Sequence, residues 1–553
     1  MAIVQRRIGG IFGLFFLLLL LAAARTAYLS VLKGGTLRKA ASTQQITDEP
    51  VTAQRGTIAD RNGVDLAISQ PARDISADPY LISDPLGAAR RLAPLLGLPQ
   101  ATVLRKLSQR TGFVYLVRGM PAPKAQKVLA LKIPGVAGAP VMRRVYPRGP
   151  LAAQVIGVVG TEGKGLAGLE YSRNSLLAGV SGRRRVVSDA IGQPVSISED
   201  HPVVAGQSLT LTLDANIQQR TEDVLGAVAR VFSPKDATAI VMDPRSGAIL
   251  AIANWPQVNP NDLSSAPPGA LQDRAVGFDY EPGSTFKAVT VSGALQQGLI
   301  TPDTPFNVPN QIHVADRTIH DDTEHAEETL TTAQILARSS NVGAIKIGML
   351  EGARNFNTWV HRFGFGARTG VDLSSEEAGV ALPLGHYSGS SMGNLPIGQG
   401  ELVTPMQMAT AYAAIANGGV LRSPHIISAV GGKAQPLPAG HRIISPATAA
   451  SLRHMLEGVL AAGGTASEVS IPGYALAGKT GTASKIDPAT GEYSKSAYVA
   501  SFIGFAPASD PRLLCAVVVD EPQAGSIFGG TVAAPAFGQI MSFALPYLGV
   551  PPG

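Results

Sequence analysis

Hydrophobic spacing changes character several times along this chain. Residues 8–24 carry no charge and are dominated by Leu, Phe and Ile, about 17 positions, the lower limit for a helix that crosses a bilayer. The apolar run resumes after Arg25 as TAYLSVL, so a tilted anchor over 8–32 with a snorkelling Arg25 is expected. Arg6 and Arg7 precede it, which by the positive-inside rule keeps a tail of residues 1–7 in the cytoplasm and sends the remainder outside. A cleaved leader with Ala22, Ala23 and Ala24 at its end is the competing reading. The length of the run and its resumption favour a retained anchor, and both readings make the bulk of the chain extracytoplasmic.

Past the polar stretch KGGTLRKAASTQQITDEP, short alternating segments follow up to Pro202. VTAQRGTIADRNGVDLAIS reads as a hairpin turning at RNG. Residues 86–107 have helical spacing, with Pro99 as a helix start. After a boundary near 205, residues 208–213 alternate as a strand and Asp214 is placed to cap the next helix. DATAIVMDPRSGAILAIAN reads as two strands joined by a turn at 243–247. A mostly helical middle includes TPMQMATAYAAIANGG, closed by Gly418 and Gly419. The end returns to strands in AYVASFIGFAP and LLCAVVVDE. Strands, helices, then strands again predict an α+β multidomain chain whose catalytic sheet gathers strands from distant segments, with helices packed against it. The expected parts are the tail 1–7, the anchor 8–32, a first extracytoplasmic domain 33–205 and a second domain 206–553.

Composition narrows the class. A hydrophobic fraction of 45% with 16% charged residues describes a folded protein. The net charge of +6 is spread without a concentrated basic run, which argues against nucleic acid as a partner. The one cysteine, Cys515, lies inside an apolar run, where burial disfavours thiolate and a structural role is expected.

Three motifs carry candidate chemistry. In EPGSTFK, Ser284 opens an apolar helix and Lys287, three residues on, faces the same side. A serine hydroxyl needs a neighbouring base, and a buried lysine can serve if desolvation lowers its pKa. In SSN, Ser339 can relay a proton and Asn341 can hydrogen-bond a substrate amide. In GKTGTA, Lys479 and the hydroxyls of Thr480 and Thr482 suit a substrate carboxylate, Gly481 permits close backbone approach, and the N–H groups of Thr482 and Ser284 can form an oxyanion hole. Each motif alone is weak, since Ser30 with Lys33 and Ser172 with Asn174 repeat the first two spacings. Together, in order and about 55 and about 140 residues apart, they match the arrangement of serine β-lactamases and penicillin-binding proteins.

The chain resembles a class B penicillin-binding protein, most of all the septal division transpeptidases, over nearly its whole length. RGTIADRNGVDLA, RVYPRG and GLAGLE resemble the boxes of the family's non-catalytic pedestal (dimerisation-type) domain. YEPGSTFK, SSNVG, IGQGELVTPMQMATAYAAIANGG and AGKTGTA resemble its transpeptidase domain, whose fold is an antiparallel sheet sandwiched by helices as in serine β-lactamases, and GGTVAAPAF resembles its closing segment. The resemblance implies a D,D-transpeptidase that cross-links peptidoglycan stem peptides through an acyl-enzyme on Ser284, with no cofactor and no metal, inhibited by β-lactams. It assigns Lys287 as base, Ser339 and Asn341 as relay and substrate holders, and Lys479, Thr480, Gly481 and Thr482 as the carboxylate and oxyanion wall. It also implies a polytopic membrane glycan polymerase of the shape, elongation, division and sporulation class as partner, together with divisome proteins. Gln399 in IGQG is a feature of elongation-type relatives, which keeps that subtype open. A carboxypeptidase, a β-lactamase and a non-turnover β-lactam sensor or division scaffold share the motifs. In IHDDTEHAEE, His320, Asp321, Asp322, Glu324 and His325 cluster; a metal site is conceivable, a solvated loop is favoured, and the resemblance aligns Asp321 with a structural loop position.

Overall fold

LLCAVVVD is apolar at odd and even positions alike, a pattern suited to a strand covered on both faces. In the computed structural model, which describes residues 2–33, 35, 46–188, 194–264 and 266–552, it is the middle strand of a five-stranded antiparallel sheet. The strands are β1 (Asp236–Met242), β2 (Ile249–Trp255), β3 (Ala477–Ile486), β4 (Tyr493–Ala506) and β5 (Leu513–Asp520), in the order β2-β1-β5-β4-β3. Seven helices bear on the site: α1 (Ala215–Phe232), α2 (Lys287–Gln296), α3 (Thr332–Arg338), α4 (Asn341–Glu351), α5 (Pro405–Ala416), α6 (Pro446–Glu457) and α7 (Ala534–Tyr547). Because strand side chains alternate, Cys515, Val517 and Val519 join a core with α1 and α7. Leu514, Ala516 and Val518 join another with α2, α5 and α6. Cys515 is fully buried, and burial raises its thiol pKa, which leaves it a packing residue.

Local sequence sets the helix ends. The Asp214 carboxylate accepts from the N–H groups of Asn216 and Ile217 at the start of α1. Thr404 and Gln407 form a reciprocal capping box around Pro405 at the start of α5. Past its end, Gly418 and Gly419 take φ of 85° and 97°. The stretch 86–107 is two helices, Pro85–Leu96 and Gln100–Leu107, with Pro99 as the N-cap of the second.

The middle of the chain departs from the helical expectation. Pro305–Val308 pairs with Glu328–Thr331, and Gln311–Val314 pairs with Arg317–His320. The inner ribbon turns at Ala315 and Asp316, with Ala315 at φ 53°. Alanine there replaces the Gly or Asn that normally announces such a turn, so the hairpin was hidden from sequence reading.

By contact density the chain forms two compact units, residues 55–178 with 207–553, and residues 1–54 with 179–206. The larger unit holds the five-stranded sheet and also the lobe 55–178. There Ile58–Ala59 pairs antiparallel with Asp65–Ala77 around the RNG turn and parallel with Leu209–Leu211. The RGT and GLAGLE boxes meet through a buried ion triad. Glu170 accepts from Arg55 Nε and from Arg144 Nε, the latter at 2.6 Å, and Glu170 is fully buried. In the smaller unit the apolar helix Ala2–Ala27 continues through a π-helical turn, Tyr28–Leu32. Arg7–Val31 has a mean hydropathy of 2.2 and spans about 37 Å at 1.5 Å per residue, long enough to cross a membrane. That unit also contains an antiparallel sheet of Ile46–Val51, Gly182–Ser188 and Pro194–His201, with Gly182–Ser188 central.

Removing one member of a buried ion cluster leaves its partners charged and desolvated. Glu170→Gln is therefore expected to lower the unfolding free energy by about 3–5 kcal/mol, read as a fall in the denaturant midpoint. A shift under about 1 kcal/mol, typical of an exposed pair, would show that water reaches the triad.

Candidate active site

Ser284 lies in a 3-10 turn, Gly283–Phe286, that leads directly into α2. Expected on the first turn of the α-helix, it instead occupies this tighter lead-in. With three residues per turn, positions i and i+3 eclipse, so Lys287 falls in line with Ser284. Gly283 has φ 54°, and Gly398 of the IGQG turn packs so closely that a Cβ there would lie 2.3 Å from the Gly283 carbonyl oxygen. Gly398 is itself at φ 76°, so glycine is required twice over. The Tyr412 hydroxyl on α5 donates to the Thr285 carbonyl at 2.7 Å, and the Thr285 hydroxyl donates to Pro282 O at 2.7 Å. The turn carrying Ser284 is thus held from below. Ser284 is half-buried, and among the described residues its Oγ makes no hydrogen bond.

Lys287 is fully buried. Its Nζ lies 2.5 Å from Ser339 O, 2.7 Å from Asn341 Oδ1 and 3.3 Å from Ser339 Oγ. A neutral amine has two hydrogens and one lone pair. The carbonyl and the amide oxygen take the hydrogens, which leaves the lone pair for a hydroxyl. Burial pushes the Lys287 pKa down to about 8, against the opposing charges of Asp322 and Asp321.

The partners of Lys287 come from the junction of α3 and α4. Ser339 caps the end of α3 in the left-handed region, φ 63° and ψ 34°, a conformation a non-glycine residue adopts at a cost of about 1 kcal/mol or more. That conformation turns both its carbonyl and its hydroxyl toward Lys287. Asn341 is fixed in turn, its amide Nδ2 donating to His320 O at 2.9 Å and to Asp322 Oδ1 at 3.2 Å. Asp321 secures the whole junction. Its Oδ1 accepts from the N–H groups of Asn341 and Val342, and its Oδ2 accepts from Ser340 Oγ and lies 3.0 Å from His325 Nε2. Both Asp321 oxygens are engaged, and among the described residues no group of three His, Cys, Asp or Glu side chains converges on a metal-sized position.

Opposite Ser284 runs β3, the edge of the sheet, whose outer backbone groups are left unused by strand pairing. A Cβ on Gly481 would lie 3.0 Å from Pro282 O and 2.4 Å from Ser501 Oγ, so only glycine lets β3 approach the nucleophile's turn. A Cβ on Gly283 would likewise meet Thr482 O at 3.1 Å. Thr480 Oγ1 pairs with Thr465 Oγ1 at 2.7 Å, and Thr482 Oγ1 accepts from Gly529 N at 3.1 Å, where the GGTVAAPAF segment closes over β3. Lys479 is fully buried, with Nζ 3.2 Å from Thr480 O and 3.3 Å from Thr480 Oγ1. Burial and the nearby Lys287 push its pKa well below the ordinary lysine value.

All eight residues singled out from the motifs thus line one region between the turn 283–286, the α3–α4 junction and β3. Sequence reading gave less weight to the supports. Asp321 and Asp322 stand out as part of an acidic loop, with Asp321 at a structural position by resemblance, and Gly398 and Tyr412 only as members of IGQGELVTPMQMATAYAAIANGG, with no role attached to either. Glu281, three residues before the serine, accepts from Gly400 N at 3.0 Å and from the Tyr493 hydroxyl at 3.2 Å, joining the IGQG turn to β4.

Known proteins share this arrangement at the level of sequence and fold. The family described as Penicillin binding protein transpeptidase domain matches residues 237–542, and the Penicillin-binding Protein dimerisation domain matches 50–211. Penicillin-binding protein PbpB of Mycolicibacterium smegmatis is 34% identical, over 96% of this chain and 89% of that protein. Peptidoglycan D,D-transpeptidase FtsI of Escherichia coli K12 is 33% identical, over 98% of this chain and 91% of its own length. The crystal structure of penicillin-binding protein 3 from Mycobacterium tuberculosis, complexed with aztreonam, superposes with a TM-score of 0.73 at 31% identity, covering 91% of this chain and 98% of that one. With a family match across more than half its length and relatives that align nearly end to end, the chain belongs to the penicillin-binding protein transpeptidase family, of the class that carries a dimerisation domain before the transpeptidase domain.

Proposed function

We propose that this protein is a peptidoglycan D,D-transpeptidase that cross-links stem peptides through a serine acyl-enzyme in division wall synthesis. The observation that carries the reading is the buried Lys287 amine, in line with Ser284, its pKa lowered by burial and its Nζ held by Ser339 O, Asn341 Oδ1 and Ser339 Oγ. Neutral Lys287 takes the Ser284 Oγ proton as Oγ bonds to the carbonyl carbon of the penultimate D-Ala. The tetrahedral oxyanion rests on the N–H groups of Ser284 and Thr482. As it collapses the C–N bond breaks, and the leaving D-Ala amine receives a proton relayed through Ser339. An amine from a second stem then attacks the ester and returns its proton to Ser284, whose C–O bond breaks. Asn341 holds the substrate amide, while Thr480, Thr482 and Lys479 face the terminal carboxylate across Gly481. The negative charge of that carboxylate raises the Lys479 pKa, so Lys479 takes a proton from solvent, and the resulting cation favours neutral Lys287. In a β-lactam the severed amine stays tethered to the acyl group, so the ester persists.

The division role is supported by the resemblance to septal transpeptidases and by the relatives aligned along the whole chain. On the same grounds, the helix at 8–32 anchors the chain in the cytoplasmic membrane by a single pass, with the tail 1–7 inside and the remainder outside. Residues 33–205 act as the pedestal and 206–553 as the transpeptidase domain. A polytopic glycan polymerase of the shape, elongation, division and sporulation class and divisome proteins are the partners this reading requires, since cross-linking consumes nascent glycan.

Ser284→Ala is expected to abolish covalent labelling by fluorescent penicillin; persistent labelling would reject the nucleophile. Wild-type protein given lipid-linked precursor and a polymerase is expected to yield cross-linked dimers. Free D-Ala without dimers would make it a carboxypeptidase, and neither product a sensor. Asp321→Ala, which removes the support of Asn341, is expected to slow penicillin acylation about 10²-fold, the usual effect of an ångström-scale displacement. An unchanged rate would mean that the α3–α4 junction holds its place without the carboxylate.

A further inference from the structure

At the end of the sheet where the β1–β2 and β4–β5 turns lie, a cavity of about 420 Å³ opens between those turns, the C-terminal end of α5 and the flank of α6. Three arginines from separate elements line it: Arg245 in the β1–β2 turn, Arg422 beyond α5, and Arg453 on α6. Their partners differ. Arg245 is satisfied, its guanidinium pairing with Asp510 and donating to Pro511 O at 3.2 Å. Arg422 donates through Nη1 to Pro438 O, but its Nε is buried and has no partner. Arg453 makes no hydrogen bond or ion pair among the described residues, and it is partly desolvated, which lowers its pKa against the pull of Asp510. Asp510 is the one carboxylate among the lining residues and is already committed to Arg245. Two guanidinium charges therefore remain uncompensated around one cavity, with the Ser509 hydroxyl on its wall.

Two fork-shaped donors with a net charge of +2 in a cavity of this size suit a small dianion with several oxygens. We propose that this cavity is an accessory anion site, separate from the Ser284 cleft, that takes a small dianionic oxyanion, either a phosphate group or a dicarboxylate. The arginine planes match both chemistries, and the occupant pairs with the accessible guanidinium donors of Arg422 and Arg453, the buried Arg422 Nε lying out of its reach. Bound there, it ties together the two sheet turns, α5 and α6. Tyr412 of α5 in turn supports Thr285 beside the nucleophile, so occupancy is expected to reach the thermal stability of the catalytic unit.

The test titrates the full chain in detergent with inorganic phosphate, glycerol phosphate or malate at constant ionic strength, using calorimetry and thermal unfolding. Saturable one-to-one binding that raises Tm is expected, weakened at least about tenfold in Arg453→Gln and in Arg422→Gln, as loss of a charge-assisted pair implies. Fluorescent penicillin labelling of each variant checks that the fold is intact. Saturation by the two phosphates alone assigns the site to phosphate groups, and saturation by malate alone to dicarboxylates. Absence of saturable binding by all three, or binding that survives both substitutions in labelling-competent protein, would overturn the proposal.

Discussion

The catalytic geometry depends on keeping one lysine amine in a dry place. Lys287 is enclosed by α2, α3 and α4, and the first consequence of that enclosure is a depressed pKa, about 8. At pH 7 such a group is neutral about a tenth of the time, some three hundred times more often than an exposed lysine. The second consequence is structural, because a buried amine must have each hydrogen satisfied. Ser339 and Asn341 supply those acceptors, and Asp321 with Asp322 holds them. The acidic pair limits how far the pKa falls while it fixes the acceptors in place. Desolvation remains the larger effect.

Around that centre the fold sets distances by leaving side chains out. Gly283, Gly398 and Gly481 sit where a Cβ would meet backbone at 3.1 Å or less, and Gly529 would meet the Gly481 and Ser501 carbonyls at 2.3 Å. The nucleophile's turn, the IGQG turn, the edge strand and the closing segment therefore meet backbone to backbone. Such contacts are stiff, which suits a site whose oxyanion donors must be in position before the reaction. The sheet behind them is equally constrained, since β5 contributes alternate side chains to two cores and cannot shift register without exposing both.

What sequence reading reached and what it missed divide along the range of the interactions. Asp214 as a cap, Pro99 as a helix start, and Gly418 with Gly419 as a stop are effects within a few residues, and they are legible because the local backbone dictates them. The three motifs were legible as a set because chemistry restricts residue types at each. The 3-10 turn at Ser284 was not, since Gly-Ser-Thr-Phe is compatible with an ordinary helix start, and the contacts that hold the tighter form, from Gly398 and Tyr412, come from distant segments. The resemblance marks Asp321 as structural, but its target is out of reach of local reading, because it acts on Asn341 across 20 positions of chain. The ribbon at Ala315 hid behind an alanine in a conformation that favours glycine. The parallel pairing of Ile58–Ala59 with Leu209–Leu211 spans a separation that no periodicity encodes.

If a neutral Lys287 accepts the Ser284 proton, acylation must slow as that amine gains a proton. The pH dependence of the second-order rate of acylation by a penicillin reports this most directly. The rate is expected to climb about tenfold per pH unit from pH 6, to level near pH 8, and to be lost in Lys287→Arg, whose guanidinium keeps its proton. A rate flat from pH 6 to 9, or a substantial rate in Lys287→Arg, would contradict it.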